Sequence, residues 1–487
     1  MTDDFKDQAL KSPEILSLIG QFLPLWEKRS GDVGGSHTWK PKDLIACSCV
    51  SRLWRATVLP ILYRHFVPHV MNDVPLEVLR AMSGHIRVLD AMVLEPMHYP
   101  VLAFLATHMN QLEELSMIWI PVLLRPILEL NSNLKILRLE GDRRQRVSNM
   151  SESIQLSAIE GFTYLVDTMA LLMHLKNLRE LYLVRFICNG DTLYKILHSM
   201  PLLTILSFWD CDGSTIPPFD VPNLSVQDLR IGHSGSGYLP YALLMSVMPN
   251  LKSLTNLVDL EQHHEVEECL ILKDDCHKVK TLHLEAPAAD GTPWMTELIS
   301  NATSPLEQIF LQTESMALKI INALISHGCG LVNISLVSTF GGDDDPAALR
   351  VILVSCPNLR VFRGGVKTSS YALGDIIFCE PWACIQLRTL EIQGLYEHDP
   401  EEYDSLQWGA HRGNILDSHS LPERWILSQA RQMFVGDGDW TLTFSEDRRR
   451  TRQTFAFHVQ LLQHVQAMVD LREVIVNDSR YTLAPPF

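Results

Sequence analysis

Leu134-Lys135-Ile136-Leu137-Arg138-Leu139 is the stretch whose recurrence decides the fold. Its L-x-x-L-x-L spacing returns at Leu112-Glu113-Glu114-Leu115-Ser116-Met117, Leu178-Arg179-Glu180-Leu181-Tyr182-Leu183 and Val279-Lys280-Thr281-Leu282-His283-Leu284. Further copies are Leu306–Leu311, Leu331–Leu336, Leu359–Phe362, Leu387–Ile392 and Leu471–Val476, with weaker ones starting near Ile86, Leu202, Val226 and Leu251. The starts fall at 86, 112, 134, 178, 202, 226, 251, 279, 306, 331, 359, 387 and 471. Successive gaps are 26, 22, 44, 24, 24, 25, 28, 27, 25, 28, 28 and 84, where 44 reads as two periods of 22 and 84 as three of 28.

Alternating apolar positions over six residues describe a short strand with one buried face. Between copies lie apolar stretches at helical spacing, for example within Leu165–Leu175, Leu193–His198 and Leu298–Ile299. Neither element buries its face alone, so stacked neighbours must supply one continuous core. The expectation is an α/β solenoid with parallel strands on the concave side and helices on the convex side. Pro249-Asn250-Leu251 and Cys356-Pro357-Asn358-Leu359 break each preceding helix before its strand. A period between 22 and 28 lies in the range of leucine-rich repeats, and the body resembles that class. The Asn or Cys that such repeats carry after the strand is poorly kept, with Cys188 and Cys211 near such positions.

Composition supports a globular chain without naming its chemistry. Of 487 residues 46% are hydrophobic and 20% charged, and the net charge is -16. That sign disfavours a nucleic-acid partner. Ten cysteines with no C-x-x-C pairing fit a reducing compartment. Met1–Gln8 holds no apolar segment of a secretory signal, and the longest apolar stretches are about half a membrane span. A soluble protein of the cytoplasm or nucleus is expected, with no membrane partner. The sequons at Asn223, Asn301 and Asn333 carry little meaning there.

The first residues read differently from the body. Ser12 is placed to cap a helix that begins at Pro13, and Ile15, Leu16, Leu18, Ile19, Phe22 and Leu23 cover a wide apolar face. Glu27–His37 is charged and then rich in Gly and Ser, which reads as a loop. A second helical pattern follows Pro41 and Asp43: Leu44, Ile45, Cys47, Val50, Leu53, Trp54, Val58 and Leu59. Two short helices have more apolar surface here than they can hide between them. Either they dock on the body or they offer an apolar face to another protein.

The run Pro13–Leu23, then Asp43–Arg55 with its Val50-Ser51-x-x-Trp54, then Leu62-Tyr63-Arg64-His65-Phe66, resembles an F-box, especially the fungal type. The whole chain is similar to F-box proteins with C-terminal leucine-rich repeats. Two departures are visible: Lys11-Ser12 stands where the family has Leu before the proline, and the link to Asp43 is long. The resemblance implies an F-box-like module over residues 8–67 with a loop insertion at 27–42. A solenoid over 68–487 follows, with irregular insertions near 141–160 and 397–452. It implies a substrate-recognition subunit of an SCF-type ubiquitin ligase, without an active site or cofactor of its own. The F-box would bind a Skp-type adaptor, and through it a cullin–RING ligase, while the repeats bind a target protein. By position, the adaptor-binding residues are Pro13, Ile15, Leu16, Ile19, Leu23, Leu44, Val50 and Trp54. The rival reading is a leucine-rich-repeat scaffold whose N-terminal helices only cap the first repeat.

No nucleotide-binding loop, metalloprotease helix, nucleophile elbow or calcium loop is present in the sequence. His263-His264-Glu265 with Cys269, Cys276 and His277 lacks the spaced pairs of a structural zinc site. The basic clusters Arg143–Arg146 and Arg448–Arg452 suit an acidic or phosphorylated segment, or only solvent. Trp440–Phe444 and Thr454–His458 suggest a hairpin inserted in the solenoid, while Trp119, Trp209, Trp294 and Trp382 stand near repeat edges as recognition anchors or lateral packing.

Overall fold

In the computed structural model the repeated runs are strands, one per repeat. The described residues are 11–23, 26–28, 37–39, 41–71, 73–141, 172–186, 190–209, 211, 222–233, 247–258, 278–286, 292–313, 318–338, 345–365, 373, 376–378, 380–395, 440–444, 461, 464–465, 468, 470–476 and 479–483. Arg143–Arg146, His263–His277, Glu397–Arg412, Arg448–Arg452, Thr454–His458 and Cys188 lie outside them. The chain divides into two compact units, Met1–Val226 with Ser236–Pro240, and Gln227–Gly235 with Tyr241–Phe487.

The first unit opens with helices α1 (Pro13–Phe22), α2 (Lys42–Ser48) and α3 (Arg52–Leu62). Between α1 and α2 the expected loop carries a two-stranded antiparallel ribbon, β1 (Trp26–Lys28) and β2 (His37–Trp39), with Trp26 opposite Trp39. The second helical pattern is two helices rather than one, because Ser51 adopts an extended backbone and starts α3 afresh. Strands β3 (His65–Phe66), β4 (Val88–Ala91), β5 (Glu114–Ile118), β6 (Ile136–Glu140), β7 (Glu180–Val184) and β8 (Ile205–Trp209) then pair in parallel, each with the next. Helices α4 (Leu76–Met82), α5 (Tyr99–Ala106), α6 (Pro121–Leu130) and α7 (Gly190–Ser199) lie between successive strands.

The leucine spacing works through register. Leu89, Leu115, Leu137, Leu181 and Leu206 are aligned partners across five strands, and all are fully buried. A second buried row is Ala91, Met117, Leu139, Leu183 and Phe208. Each buried leucine contributes about 1.5–3 kcal/mol, and a slip of one residue would turn every one of them outward. The weak copy near Leu202 begins one residue later than the spacing suggests: Leu203 is buried and Leu202 exposed.

The second unit repeats this with β9 (Asp228–His233), β10 (Ser253–Val258), β11 (Thr281–Ala286), β12 (Gln308–Thr313), β13 (Asn333–Ser338), β14 (Val361–Gly365) and β15 (Thr389–Gln393), all parallel. Helices α8 (Thr292–Asn301), α9 (Leu318–Ile325) and α10 (Asp345–Ser355) follow β11, β12 and β13. Phe362 occupies a core position that Ile334 and Leu390 hold on adjacent strands, and Gly364 makes room for it. A Cβ at 364 would stand 3.1 Å from the Phe362 ring and 3.0 Å from Leu349.

Three sequence expectations are corrected. The 44-residue gap is not two periods, because β6 bonds directly to β7 (Leu137 opposite Leu181) and leaves no slot for a strand. The 84-residue gap is not three, because β15 bonds directly to β17 (Glu473–Val476), with Leu390 opposite Val474. The sheet also does not stay parallel. β18 (Ser479–Leu483) turns back on β17, and β16 (Trp440–Phe444) pairs antiparallel with β18; the expected hairpin partner at 454–458 lies outside the described residues.

Candidate functional site

The N-terminal helices are started by capping and meet closely at one glycine. Ser12 accepts a hydrogen bond from the Ile15 amide and starts α1, and its hydroxyl donates to Glu14 at 2.6 Å. That bond holds the Glu14 carboxyl below the usual range. Ser51 accepts from the Trp54 amide at 3.2 Å, so Val-Ser-x-x-Trp is a helix N-cap with tryptophan at the third helical position. Arg55 donates to the Ser48 carbonyl and ties α3 to the end of α2. Gly20 is buried where α1 meets α3, with a Cβ position only 2.7 Å from Ile61 Cδ1.

These helices have two apolar faces. Leu16, Leu44, Val58 and Leu62 are buried among themselves and their neighbours. Ile15, Leu18 and Phe22 lie at i, i+3 and i+7 on the other side of α1, and they are exposed. Phe22 is 85% exposed, Val50 63% and Leu18 54%, with Ile45 and Leu53 also open. Among the residues expected at an adaptor contact, Ile15 and Val50 are open, as is Pro13, while Ile19, Leu23 and Trp54 are half-buried. Leu16 and Leu44 are interior. Phe22, the most exposed of the group, was visible in the sequence only as one more apolar position.

A second surface is the solvent side of the strands. In the first unit Arg138 stacks over the Tyr182 ring at 4.9 Å, and the Tyr182 hydroxyl donates to Glu180 at 2.9 Å. At the strand ends Arg185 donates to Glu140 at 2.5 Å, Trp119 meets Phe186 edge-on at 5.1 Å, and Trp209 donates to Ser207. Arg185 has φ 61°, a conformation costly for a side-chain-bearing residue, held by its amide bond to the Trp209 carbonyl and by Glu140. Its carbonyl would clash with a Cβ on Gly141, and a backbone atom cannot easily yield, so position 141 favours glycine. In the second unit His283 lies edge-on to Phe310 at 4.1 Å, and burial pulls its pKa down. Arg363 pairs with Glu391 at 3.2 Å. Trp382 is no anchor: it is buried, donates to the Ile377 carbonyl and packs on His464.

Two buried asparagines tie the repeats together, and neither has a structural signal in its own residue type. Asn131 accepts from the Leu112 amide and donates to the carbonyls of Met109 and Ile127, which joins neighbouring repeats. Asn223 donates to the Leu197 carbonyl and accepts from the amides of Ser225 and Val226. Both stand three residues before a repeat start, and that offset is the signal that could have revealed them. Cys211 serves a similar end by donating to the Leu183 carbonyl.

The buried thiols lack the environment of a nucleophile. Burial pushes Cys356 up to about 11 and Cys384 up to about 12, away from the thiolate form. Among the described residues no group of three His, Cys, Asp or Glu could hold a metal ion, and no helix is long and apolar enough to cross a membrane.

No family model and no curated protein matches the chain. Among solved structures it is similar to TLR13 in a complex with ssRNA13, at 14% identity and a TM-score of 0.30 over 65% of this chain. It spans 42% of that protein's length. An internalin (inlF) from Listeria monocytogenes aligns at 10% identity and a TM-score of 0.28, over 68% of this chain and 81% of the internalin.

Proposed function

We propose that the chain is a substrate-recognition subunit of an SCF-type ubiquitin ligase, in which the N-terminal helices recruit a Skp-type adaptor and the repeats hold the target. The leucine-rich-repeat-like body is a fact of the fold. The adaptor reading rests on one observation: the exposed apolar face of Ile15, Leu18, Phe22, Ile45, Val50 and Leu53. Six large apolar side chains left in water, five on three short helices and Val50 in the turn between two of them, are costly unless a partner covers them. The contact we assign comprises Ile15, Ile19, Leu23, Val50 and Trp54 with Leu18 and Phe22, whereas Leu16 and Leu44 act by holding the helices together. The chain then contributes proximity, keeping a target within reach of ubiquitin that other subunits carry.

The scaffold reading has its own support. β3 follows α3 directly and pairs in register with β4, His65 opposite Val88, so the helices also close the first repeat. Co-purification with a Skp-type adaptor separates the two. Leu18→Asp, Phe22→Asp and Val50→Asp together should abolish adaptor binding with no loss of the thermal transition. Absence of binding by the unmodified chain, or binding by the triple variant, leaves only the scaffold.

A further inference from the structure

The residue just before each strand occupies one repeated place along the sheet, because its carbonyl accepts the amide of its counterpart on the next strand. Arg388 N–H donates to Arg360 O at 2.7 Å, and Arg472 N–H to Arg388 O at 2.8 Å. Three arginines therefore stand on the successive strands β14, β15 and β17, about 4.8 Å apart. All three side chains are exposed.

Elsewhere at this place bases stand at most in adjacent pairs, Arg64 with Arg87, Lys135 with Arg179 and Lys252 with Lys280, and each pair has a neighbouring acid in Glu113 or Glu307. Glu113 takes Lys135 at 2.8 Å and Arg87 at 3.9 Å, and Lys280 takes Glu307 at 2.6 Å. Lys252 donates to Gln227 instead. Arg360, Arg388 and Arg472 have no ion pair among the described residues. The nearby carboxylates are otherwise placed: Glu391 is paired with Arg363, Glu380 with Arg350, and exposed Asp470 makes no ion pair with Arg472 or Arg388. Like charges on adjacent strands repel, so the row costs stability that nothing described here returns.

We propose that Arg360, Arg388 and Arg472 form a docking ridge for a carboxylate-rich segment of a protein partner, a run of Asp or Glu. Guanidinium forks bind carboxylates in bidentate fashion. A row of three needs several anionic groups in series, which one phosphate does not supply. A short acidic run places its charge on the row alone, whereas a long polyanion such as nucleic acid also lies over the rest of a chain carrying -16. The ridge does not depend on the adaptor reading, since its residues lie in the second unit.

The test is fluorescence anisotropy of labelled hexaglutamate with the full chain at low ionic strength. Arg360→Gln/Arg388→Gln/Arg472→Gln should weaken binding by at least about tenfold. Lys135→Gln/Arg179→Gln/Lys252→Gln removes the same charge from the same place on other strands and should change it by less than about twofold. An Arg→Lys version of the ridge should restore part of the affinity, and thermal melting verifies that each variant is folded. The proposal is overturned if hexaglutamate does not bind saturably, if both Gln triples lose equally, or if a phosphoserine peptide or poly-dT binds and hexaglutamate does not.

Discussion

Leu16 and Leu18 stand two positions apart on α1 and answer to opposite demands. Leu16 is buried, while more than half of Leu18 is open to water. Leu16→Ala should destabilise the helical module by about 2–5 kcal/mol through the cavity it leaves. Leu18→Ala should stay within about 0.5 kcal/mol, in urea or thermal unfolding, yet weaken the adaptor contact. Equal stability losses in the two variants would mean that α1 buries the other face. The thiols make a pH prediction at the same scale. Cys356 and Cys384 keep their protons when folded up to about 11 and about 12, against 9.0 when free. Above pH 9 the unfolded chain releases protons that the folded chain retains, so stability falls as pH rises. The slope approaches about 1.4 kcal/mol per pH unit for each fully ionised group. Burial of Tyr63 acts in the same direction. Cys356→Ala/Cys384→Ala should flatten that alkaline limb in unfolding curves taken between pH 8 and 11, and a limb unchanged in slope would assign the effect elsewhere. In the folded chain exposed Cys49 and Cys329 should alkylate well before Cys211, Cys356 and Cys384.

At the scale of elements the pairing β6–β7 carries the next expectation. Registered partners on the other paired parallel strands from β3 to β15 lie 22 to 28 residues apart, but Ile136 and Glu180 lie 44 apart. Removing residues 143–160 would leave 26, a normal repeat, and keeps Gly141 against Arg185. That deletion should fold with a melting temperature within a few degrees of the parent, since loop length costs little; loss of the cooperative transition would show that the segment is part of the core. The strands were readable in sequence because each brings its own buried leucines, and rows such as Leu115–Leu137–Leu181 follow from spacing alone. Partner choice was not readable. Trp440–Phe444 alternates like any strand, and nothing in that alternation selects Ser479–Leu483 over a nearer segment. His65-Phe66 is only two residues long, too short for alternation to mark it as a strand. The two faces of α1 were also illegible, since Leu16 and Leu18 are equally apolar and only the position of α3 decides which is covered. The arginine ridge needed the register, because Arg360, Arg388 and Arg472 span 112 residues of chain.

At the scale of the molecule a stack of parallel strands has to end, and an open end is an unpaired row of amides and carbonyls. Here the last parallel strand, β17, is covered by the antiparallel β18, which is followed by β16. β18 runs against the stack and β16 runs with it again, so the amides and carbonyls of β17 are paired, and among the described residues the sheet ends at β16. Terminal units of repeat proteins need such closure to remain soluble. Deleting residues 478–487 removes β18, exposes the hydrogen-bonding edge of β17, and leaves β16 without its partner. The shortened chain should self-associate with concentration in light scattering, and the transition of the second unit should move to lower temperature. Substitution of exposed Arg472 by Gln in the full chain should do neither. If the shortened chain stays monomeric and melts unchanged, then β18 is not the closure, and the stack ends at β17 by virtue of its shortness and its charge.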